Sequence, residues 1–135
     1  MRDLAQKMVI ASKLEAAREV EEALLHRAAG FGYSESAMFA IKLALEEAIN
    51  NAIKHGNGFD ARKTVEVCFR VDHRKAEVTI TDQGRGFDPG AVPDPTRDEN
   101  LEKPCGRGIM LMKAYMDEVR YNDKGNQVCM VKSNS

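Results

Sequence analysis

The sequence predicts one α+β domain over residues 1–135, a two-layer sandwich in which a mixed, mostly antiparallel sheet carries helices on one face. Apolar residues recur at helical spacing in the first half of the chain and alternate with polar residues in the second half. The alternating segments follow one another closely enough to pair as hairpins, which favours an antiparallel sheet with its helices on one side.

Composition excludes several other classes of protein. The chain has 135 residues, 43% of them hydrophobic, and a net charge of −1, as in an ordinary globular domain with no attraction for nucleic acid. No apolar run is long enough to span a membrane, and no signal-type segment follows the N-terminus, so we expect a cytoplasmic protein without membrane contact. Three scattered cysteines exclude a disulfide framework.

The first half of the chain predicts a short strand and two helices. Residues 8–11 are apolar and predict the strand. Apolar residues then recur every three or four positions from Leu14 to Ala28, which predicts a helix that ends at the glycines after it. Ser34 is a suitable N-cap for a longer helix to Gly56, because apolar residues again recur at steps of three and four.

The second half predicts two hairpins separated by a long loop and a short helix. Alternation over residues 64–71 and 76–82 predicts the first hairpin, and residues 119–121 and 128–131 predict the second. The segment between them contains all four prolines of the chain. Long loops of this kind are usually functional lids or disordered segments, so we place a lid at about residues 89–105. A short helix from Ile109 to Met116 follows the lid.

Two carboxylate–amide pairs lie on the long helix, Glu46 with Asn50 and Glu47 with Asn51. Residues four apart share a helix face, so each pair presents a base beside an amide oxygen. The Glu47–Asn51 face also carries two alanines, which leave room for a ligand, whereas the other pair lies beside larger residues. This segment alone favours the simpler alternative that all four side chains are solvated. Two adjacent asparagines argue against that alternative, because asparagine is a mediocre helix former.

Asp82 is a candidate because alternation places it on the inward row of its strand. A carboxylate in that position needs a hydrogen-bonding partner. Either it caps the glycine turn that follows, or it accepts a hydrogen bond from the amino group of a ligand. In the second case, Gly84 and Gly86 would let the backbone approach a flat ring closely.

The last candidate is the segment Gly106-Arg107-Gly108, which opens the short helix. Free amides at a helix N-terminus form a phosphate site, and Arg107 would add a positive charge, although the same residues also suit an ordinary turn. His55 follows Asn51 by four residues. It lies either at the rim of a pocket or at the helix end, where the dipole favours it.

The order of these segments resembles the GHKL ATPase superfamily. EAINNAIKHG at residues 47–56 resembles its N box, DQGRGF at 82–87 its G1 box and GRGI at 106–109 its G2 box, which form the ATP site of gyrase, histidine kinases and MutL. The segment LMKAYMDEV at 111–119 and the FDP at 87–89 are similar to the bacterial anti-sigma-factor serine kinases. Those are small single-domain proteins, and the resemblance covers nearly the whole chain.

The resemblance implies a Bergerat-type ATP-binding fold and a role for each motif residue. Asn51 would be the Mg²⁺ ligand, Glu47 would polarise the attacking hydroxyl, and Asp82 would bind the adenine amino group. An amide oxygen suits Mg²⁺, which has few protein ligands and relies on phosphate oxygens. The other residues implied to contact the nucleotide are His55, Gly84, Gly86, Phe87, Gly106, Arg107, Gly108 and Ile109.

The resemblance predicts an ATP-dependent protein serine/threonine kinase with ATP and Mg²⁺ as cofactors. It would phosphorylate a serine on an anti-anti-sigma antagonist protein and sequester a sigma factor. The alternative is a non-catalytic ATP sensor, or a detached catalytic domain of a histidine-kinase-like system. Glu47 favours an active enzyme, since a sensor would not need it. A sheet face left uncovered by helices would suit a homodimer.

Overall fold

The computed structural model describes residues 5–84 and 104–134, with the side chains of the second stretch described from residue 110 onward. The helices are α1 (Ala17–Gly30), α2 (Glu35–Asn51) and α3 (Pro104–Tyr115), with a 3₁₀ turn at Leu14–Ala16 and a π-helical turn at Ala52–Gly56. The strands are β1 (Gln6–Ala11), β2 (Thr64–Val71), β3 (Lys75–Thr81), β4 (Glu118–Tyr121) and β5 (Gln127–Ser133). This is the predicted order of elements.

The five strands form one sheet in the order β1-β2-β3-β5-β4, and every neighbouring pair is antiparallel. The hairpins β2–β3 and β4–β5 pair as predicted. Strand β5 also pairs with β3, where Val78 lies opposite Met130, so β4 becomes the edge strand. The predicted two-layer α+β fold with a mostly antiparallel sheet is confirmed.

The core lies between the helices and one face of the sheet. Every second residue of β2 is buried, whereas Glu66 and Arg70 on the other face are exposed. Fully burying an apolar side chain of this size stabilises the fold by about 1.5–3 kcal/mol. The helices contribute their apolar stripes to the same core, namely Val20, Leu24 and Ala28 of α1, Ile41, Leu45 and Ala48 of α2, and Met112 of α3 with Met116 directly after it. Within residues 5–84 and 104–134, none of the helices has the length and apolar character to cross a membrane.

The helix boundaries agree with the sequence at one end of α2 and differ from it at two other points. Ser34 is the N-cap of α2, and its Oγ accepts a hydrogen bond of 3.0 Å from the N–H of Ala37. At the other end, the chain continues to Gly56 as a π-helical turn. Helix α3 begins at Pro104, two residues before Gly106, which was expected to open it, so the helix includes the last two residues of the predicted lid. Proline suits the first helical position because the N–H of that residue has no intrahelical partner.

The buried side chain of Asn57 ties the end of the π turn to three strands. It is 3% exposed. Its Nδ2 donates hydrogen bonds to Oγ of Ser12 and to the carbonyl of Thr64, both at 3.0 Å, and its Oδ1 accepts one of 2.8 Å from the N–H of Gln83. Because Ser12 follows β1, Thr64 begins β2 and Gln83 follows β3, one amide holds three neighbouring strand ends against the helix.

We expect Asn57→Ala to lower the free energy of unfolding by at least about 2 kcal/mol, since it leaves several buried polar groups without partners. Urea denaturation measures this. The control is Arg62→Ala, which removes an exposed ion pair with Asp60 and should change the stability by less than about 0.5 kcal/mol. Equal effects of the two variants would show that the Asn57 hydrogen bonds do not stabilise this end of the sheet.

Candidate functional site

The structure brings the end of the α2–π-turn segment into direct contact with the residues that follow β3. A Cβ added at Gly56 would overlap the carboxylate of Asp82, and a Cβ added at Gly84 would overlap the backbone of Gly56. Neither glycine has room for a side chain, because two backbone segments and one carboxylate occupy the same small space. The N-box and G1 segments are therefore packed against each other.

Asp82 is half-buried and held at three points. Its Oδ1 accepts a hydrogen bond of 2.8 Å from the N–H of Gly84. Its backbone N–H donates to the carbonyl of Asn126 at 2.9 Å, and Nδ2 of Asn126 donates to the carbonyl of Asp82 at 3.3 Å. The turn-capping role that the sequence allowed is therefore present. The hydrogen bonds among the described residues do not include one to Oδ2, so the ligand-binding role remains compatible with this geometry.

The environment of Asp82 makes its carboxylate a strong hydrogen-bond acceptor. Burial raises the pKa of Asp82 above its ordinary value. The hydrogen bond from Gly84 and the positive charges of Lys63 and Lys124 oppose that shift without cancelling it. A partly desolvated carboxylate benefits more from a ligand's N–H donor than a fully hydrated one does.

We expect Gly84→Ala to impair both folding and nucleotide binding, because its Cβ would force the G1 segment away from Gly56. The melting temperature should fall, and the affinity for ATP should fall with it. Gly30→Ala is the matched control, since a Cβ at Gly30 meets nothing within 4 Å at the end of α1. Thermal unfolding and calorimetric ATP titration of both variants measure the difference, and a Gly84→Ala protein indistinguishable from Gly30→Ala would contradict the close contact.

Glu47 and Asn51 lie one helical turn apart in the last part of α2, and both are half-buried. Helix α2, which carries the N-box residues, packs against α3, the helix that contains the G2 segment. Asn51 is the last residue before the π turn, in which the N–H of Asn57 bonds to the carbonyl of Ala52 at 2.8 Å. Such turns occur frequently at functional sites. His55 lies in this turn and is exposed, which agrees equally with a pocket rim and with a helix end.

The G2 glycines lie inside α3, whereas the sequence placed them at its first residues. Gly106 is in the first turn, so its N–H has no intrahelical acceptor and is available to an anion. Gly108 is the fifth residue of the helix, and an N–H at that position bonds within the helix. Outside the described part of the chain are Gly86, Phe87, the predicted lid up to residue 103, and the side chains of Arg107 and Ile109.

The described residues contain no cluster of three or more His, Cys, Asp or Glu side chains that could hold a metal ion. The predicted Mg²⁺ ligand is instead the amide oxygen of Asn51. Mg²⁺ keeps several water molecules and binds substrate phosphates with one or two protein ligands, so a single amide ligand beside a nucleotide fits its chemistry.

The other carboxylate–amide pair of α2 faces α1. The carboxyl group of Glu46 hydrogen-bonds with that of Glu21, which is only 9% exposed. Burial first, and then the hydrogen bond and charge of Glu46, raise the pKa of Glu21 to about 7, against the smaller effects of Lys42 and Arg18. Oε1 of Glu21 has no hydrogen-bond partner among the described residues. Glu46 is thus half-exposed on the cleft side and also contacts Glu21, a residue that the sequence pattern does not single out.

The raised pKa of Glu21 predicts a fold that loses stability as the pH rises. A carboxyl group with a higher pKa in the folded state contributes stability below its unfolded pKa of 4.5, and that contribution is lost as the pH rises through about 7. We expect the free energy of unfolding to fall by about 1–3 kcal/mol between about pH 5 and pH 8, and Glu21→Gln to remove most of that fall. Urea denaturation at both pH values tests this, with the exposed neighbour Glu22→Gln as control. Parallel pH profiles for the two variants would contradict the assignment.

Comparison with known proteins places the chain in a family. Residues 10–132 match the histidine kinase-like ATPase domain family. The serine-protein kinase RsbW of Bacillus licheniformis is 36% identical over 112 residues, which cover 78% of this chain and 70% of that protein. The chain belongs to the RsbW family of serine-protein kinases. The predicted superfamily and subfamily are both confirmed.

Other similar proteins carry the same name, serine-protein kinase RsbW. RsbW of Bacillus subtilis is 33% identical over 114 residues, covering 78% of this chain and 70% of that protein, and RsbW of Listeria monocytogenes is 31% identical over 108 residues, covering 75% and 69%. A solved structure of RsbU and RsbW domains from Mycobacterium tuberculosis has a TM-score of 0.65 at 18% identity, and covers 97% of this chain but 32% of that one. That likeness shows the fold. Membership in an ATPase-domain family of kinases implies the use of ATP.

Proposed function

We propose that this kinase binds Mg-ATP between α2, the Asp82–Gly84 segment and the start of α3, and phosphorylates a serine on an anti-anti-sigma antagonist protein. The observation that carries the proposal is the contact of Asp82 and Gly84 with Gly56. It holds a half-buried carboxylate at the end of the segment that continues the helix bearing Glu47 and Asn51, which supports a site with base-binding and phosphate-handling residues at one end of the domain.

Each residue has a role that its chemistry supports. Asp82 accepts a hydrogen bond from the adenine amino group, and the bare backbone of Gly84 lets the flat base lie close. The amide oxygen of Asn51 is suited to a Mg²⁺ ion, which would neutralise phosphate charge when bound. The N–H of Gly106, at the positive end of the α3 dipole, is placed to bind a phosphate oxygen.

Glu47 acts as the general base in the proposed reaction. The serine oxygen of the antagonist forms a bond to the γ-phosphorus while the bond from that phosphorus to the β–γ bridging oxygen breaks. The serine proton passes to Glu47, and ADP leaves. Phosphoryl transfer of this kind depends mainly on positioning and charge stabilisation, so a small domain can catalyse it.

The proposed cellular role is a partner switch in the cytoplasm. In it, the kinase sequesters a sigma factor and releases it according to the phosphorylation state of the antagonist. The sheet face opposite the helices carries exposed Val9 beside the Lys7–Glu66 ion pair, and we propose this uncovered face as the contact of a homodimer.

Two variants separate nucleotide binding from phosphoryl transfer. Glu47→Gln should keep its affinity for ATP while phosphoryl transfer falls by about 10²–10⁴-fold, because only proton abstraction is removed. Asp82→Asn should instead weaken ATP binding by about 1–3 kcal/mol, since an amide places a donor or an unpaired group against the adenine amino group. Glu22→Gln, on the exposed face of α1, is the control for both. Calorimetry with Mg-ATP and transfer from γ-labelled ATP are the two measurements.

The acceptor in the transfer assay decides between the proposed function and its alternatives. Alkali-labile, acid-stable label on a serine of an antagonist protein encoded nearby supports the proposal. Label on a histidine of a partner would instead indicate a histidine-kinase-like system. No transfer to any candidate, with ATP binding intact, would indicate a non-catalytic ATP sensor and contradict the role of Glu47.

A further inference from the structure

A cleft of about 410 Å³ lies between α2 and the segment that leads into α1. Leu14 and Ala17 supply apolar surface to it, and Glu21, Glu46 and Asn50 supply polar groups. Leu14 is 38% exposed and Glu21 only 9%. Leu14 therefore lies nearer the mouth of the cleft, whereas Ala17, which is 6% exposed, lies as deep as Glu21.

The carboxyl pair in this cleft is incompletely satisfied. Two carboxyl groups in hydrogen-bonding contact retain one proton between them, because two adjacent negative charges in a desolvated site repel each other. Glu21 still has one buried oxygen without a hydrogen-bond partner among the described residues. A buried acceptor without a donor costs free energy, and a bound donor would recover it.

The charges around the pair indicate a cationic ligand. Glu21 faces Glu46 and Lys42 from α2 and Arg18 from its own helix, and Glu15 also lines the cleft. The cleft itself is lined by three carboxyl groups and one guanidinium, that of Arg18, so acidic groups are in excess. A cation would replace the shared proton and leave both carboxylates ionised and paired. The described residues contain no group of three metal-binding side chains, so a cation with its own N–H donors fits better than a metal ion.

We propose that this cleft binds the charged end of a lysine or arginine side chain on the protein substrate. Glu21 and Glu46 would bind the charged group, while Leu14 and Ala17 would contact the methylene stem, as long basic side chains commonly do. This inference rests on the proposed function. Glu46 precedes Glu47 and Asn50 precedes Asn51, so the cleft and the proposed catalytic face lie on adjoining sides of α2, about 100° apart around the helix. A protein that presents its serine to Glu47 would reach the cleft if its surface extends around that side of the helix.

Binding in the cleft should depend on pH in a defined direction. A basic side chain displaces the proton shared by Glu21 and Glu46, and that proton passes to solvent. Affinity should therefore rise as the pH increases through the range in which Glu21 ionises, and a bound cation should lower the pKa of Glu21.

The first test uses the whole chain and the probe Nα-acetyl-lysine amide. Carboxyl NMR of glutamate-labelled protein, assigned with Glu21→Gln, follows the titration of Glu21 with and without the probe. We expect the lysine amide to lower the midpoint, and Nα-acetyl-norleucine amide, which has the stem without the ammonium group, to leave it unchanged. No shift with the lysine probe, or an equal shift with both probes, would overturn the proposal.

The second test asks whether the cation comes from the protein substrate. Once the phosphorylated serine is mapped, the basic residues nearest to it in the antagonist are replaced by methionine. One such change should raise KM for the antagonist about tenfold with the wild-type kinase and much less with the Glu21→Gln kinase, which is the signature of a direct coupling. Equal effects in both kinases for every basic residue tested would overturn the assignment to a substrate side chain.

The outcomes separate this inference from the proposed function. Failure of ATP binding or of phosphoryl transfer, with the lysine-dependent shift of Glu21 intact, would contradict only the proposed function. Normal transfer to serine without any response of Glu21 to the lysine probe would contradict only the basic-side-chain site.

Discussion

A buried primary amide can donate two hydrogen bonds and accept others, and Asn57 uses this capacity on three separate chain segments. Its partners are the ends or starts of β1, β2 and β3, and it lies directly after the π turn that closes the α2 segment. The sheet and the helix are therefore aligned at one end of the domain by the geometry of a single side chain. The approach of Asp82 and Gly84 to Gly56 depends on that alignment. Gly56 directly precedes Asn57, and Asp82 and Gly84 lie on either side of Gln83, whose N–H donates to Asn57.

The close contact at Gly56 has a consequence for the chemistry of the site. A strand end and a helix end meet without side chains between them, so the carboxylate of Asp82 is fixed relative to the helix that carries Glu47 and Asn51. Catalytic groups on rigid elements are positioned more accurately than groups on loops. The residues proposed to bind the nucleotide at this end are thus held by the sheet and by the end of the α2 segment.

The same helix presents two carboxylate–amide pairs to different surroundings. Glu47 and Asn51 are half-buried in the part of α2 that leads to the proposed nucleotide site, whereas Glu46 and Asn50 line a cleft against α1. Burial and the neighbouring carboxyl of Glu46 raise the pKa of Glu21, and Oε1 of Glu21 has no hydrogen-bond partner among the described residues. Incompletely satisfied buried carboxyl groups with a shifted pKa are common where a protein binds another molecule.

The sequence by itself determined the order and type of the elements, the faces they bury and the family. Apolar residues repeat every two positions in a strand and about every 3.6 positions in a helix, so the pattern within one segment shows which face that segment buries. The N, G1 and G2 motifs and their order along the chain can likewise be read directly from the sequence, and they indicated the family. The contacts between distant residues were decided only by the tertiary structure. Asn57 meets Ser12 across 45 positions, and Glu21 meets Glu46 on another helix. No periodicity distinguishes these polar residues from solvated ones, because their burial is set by how separate elements pack.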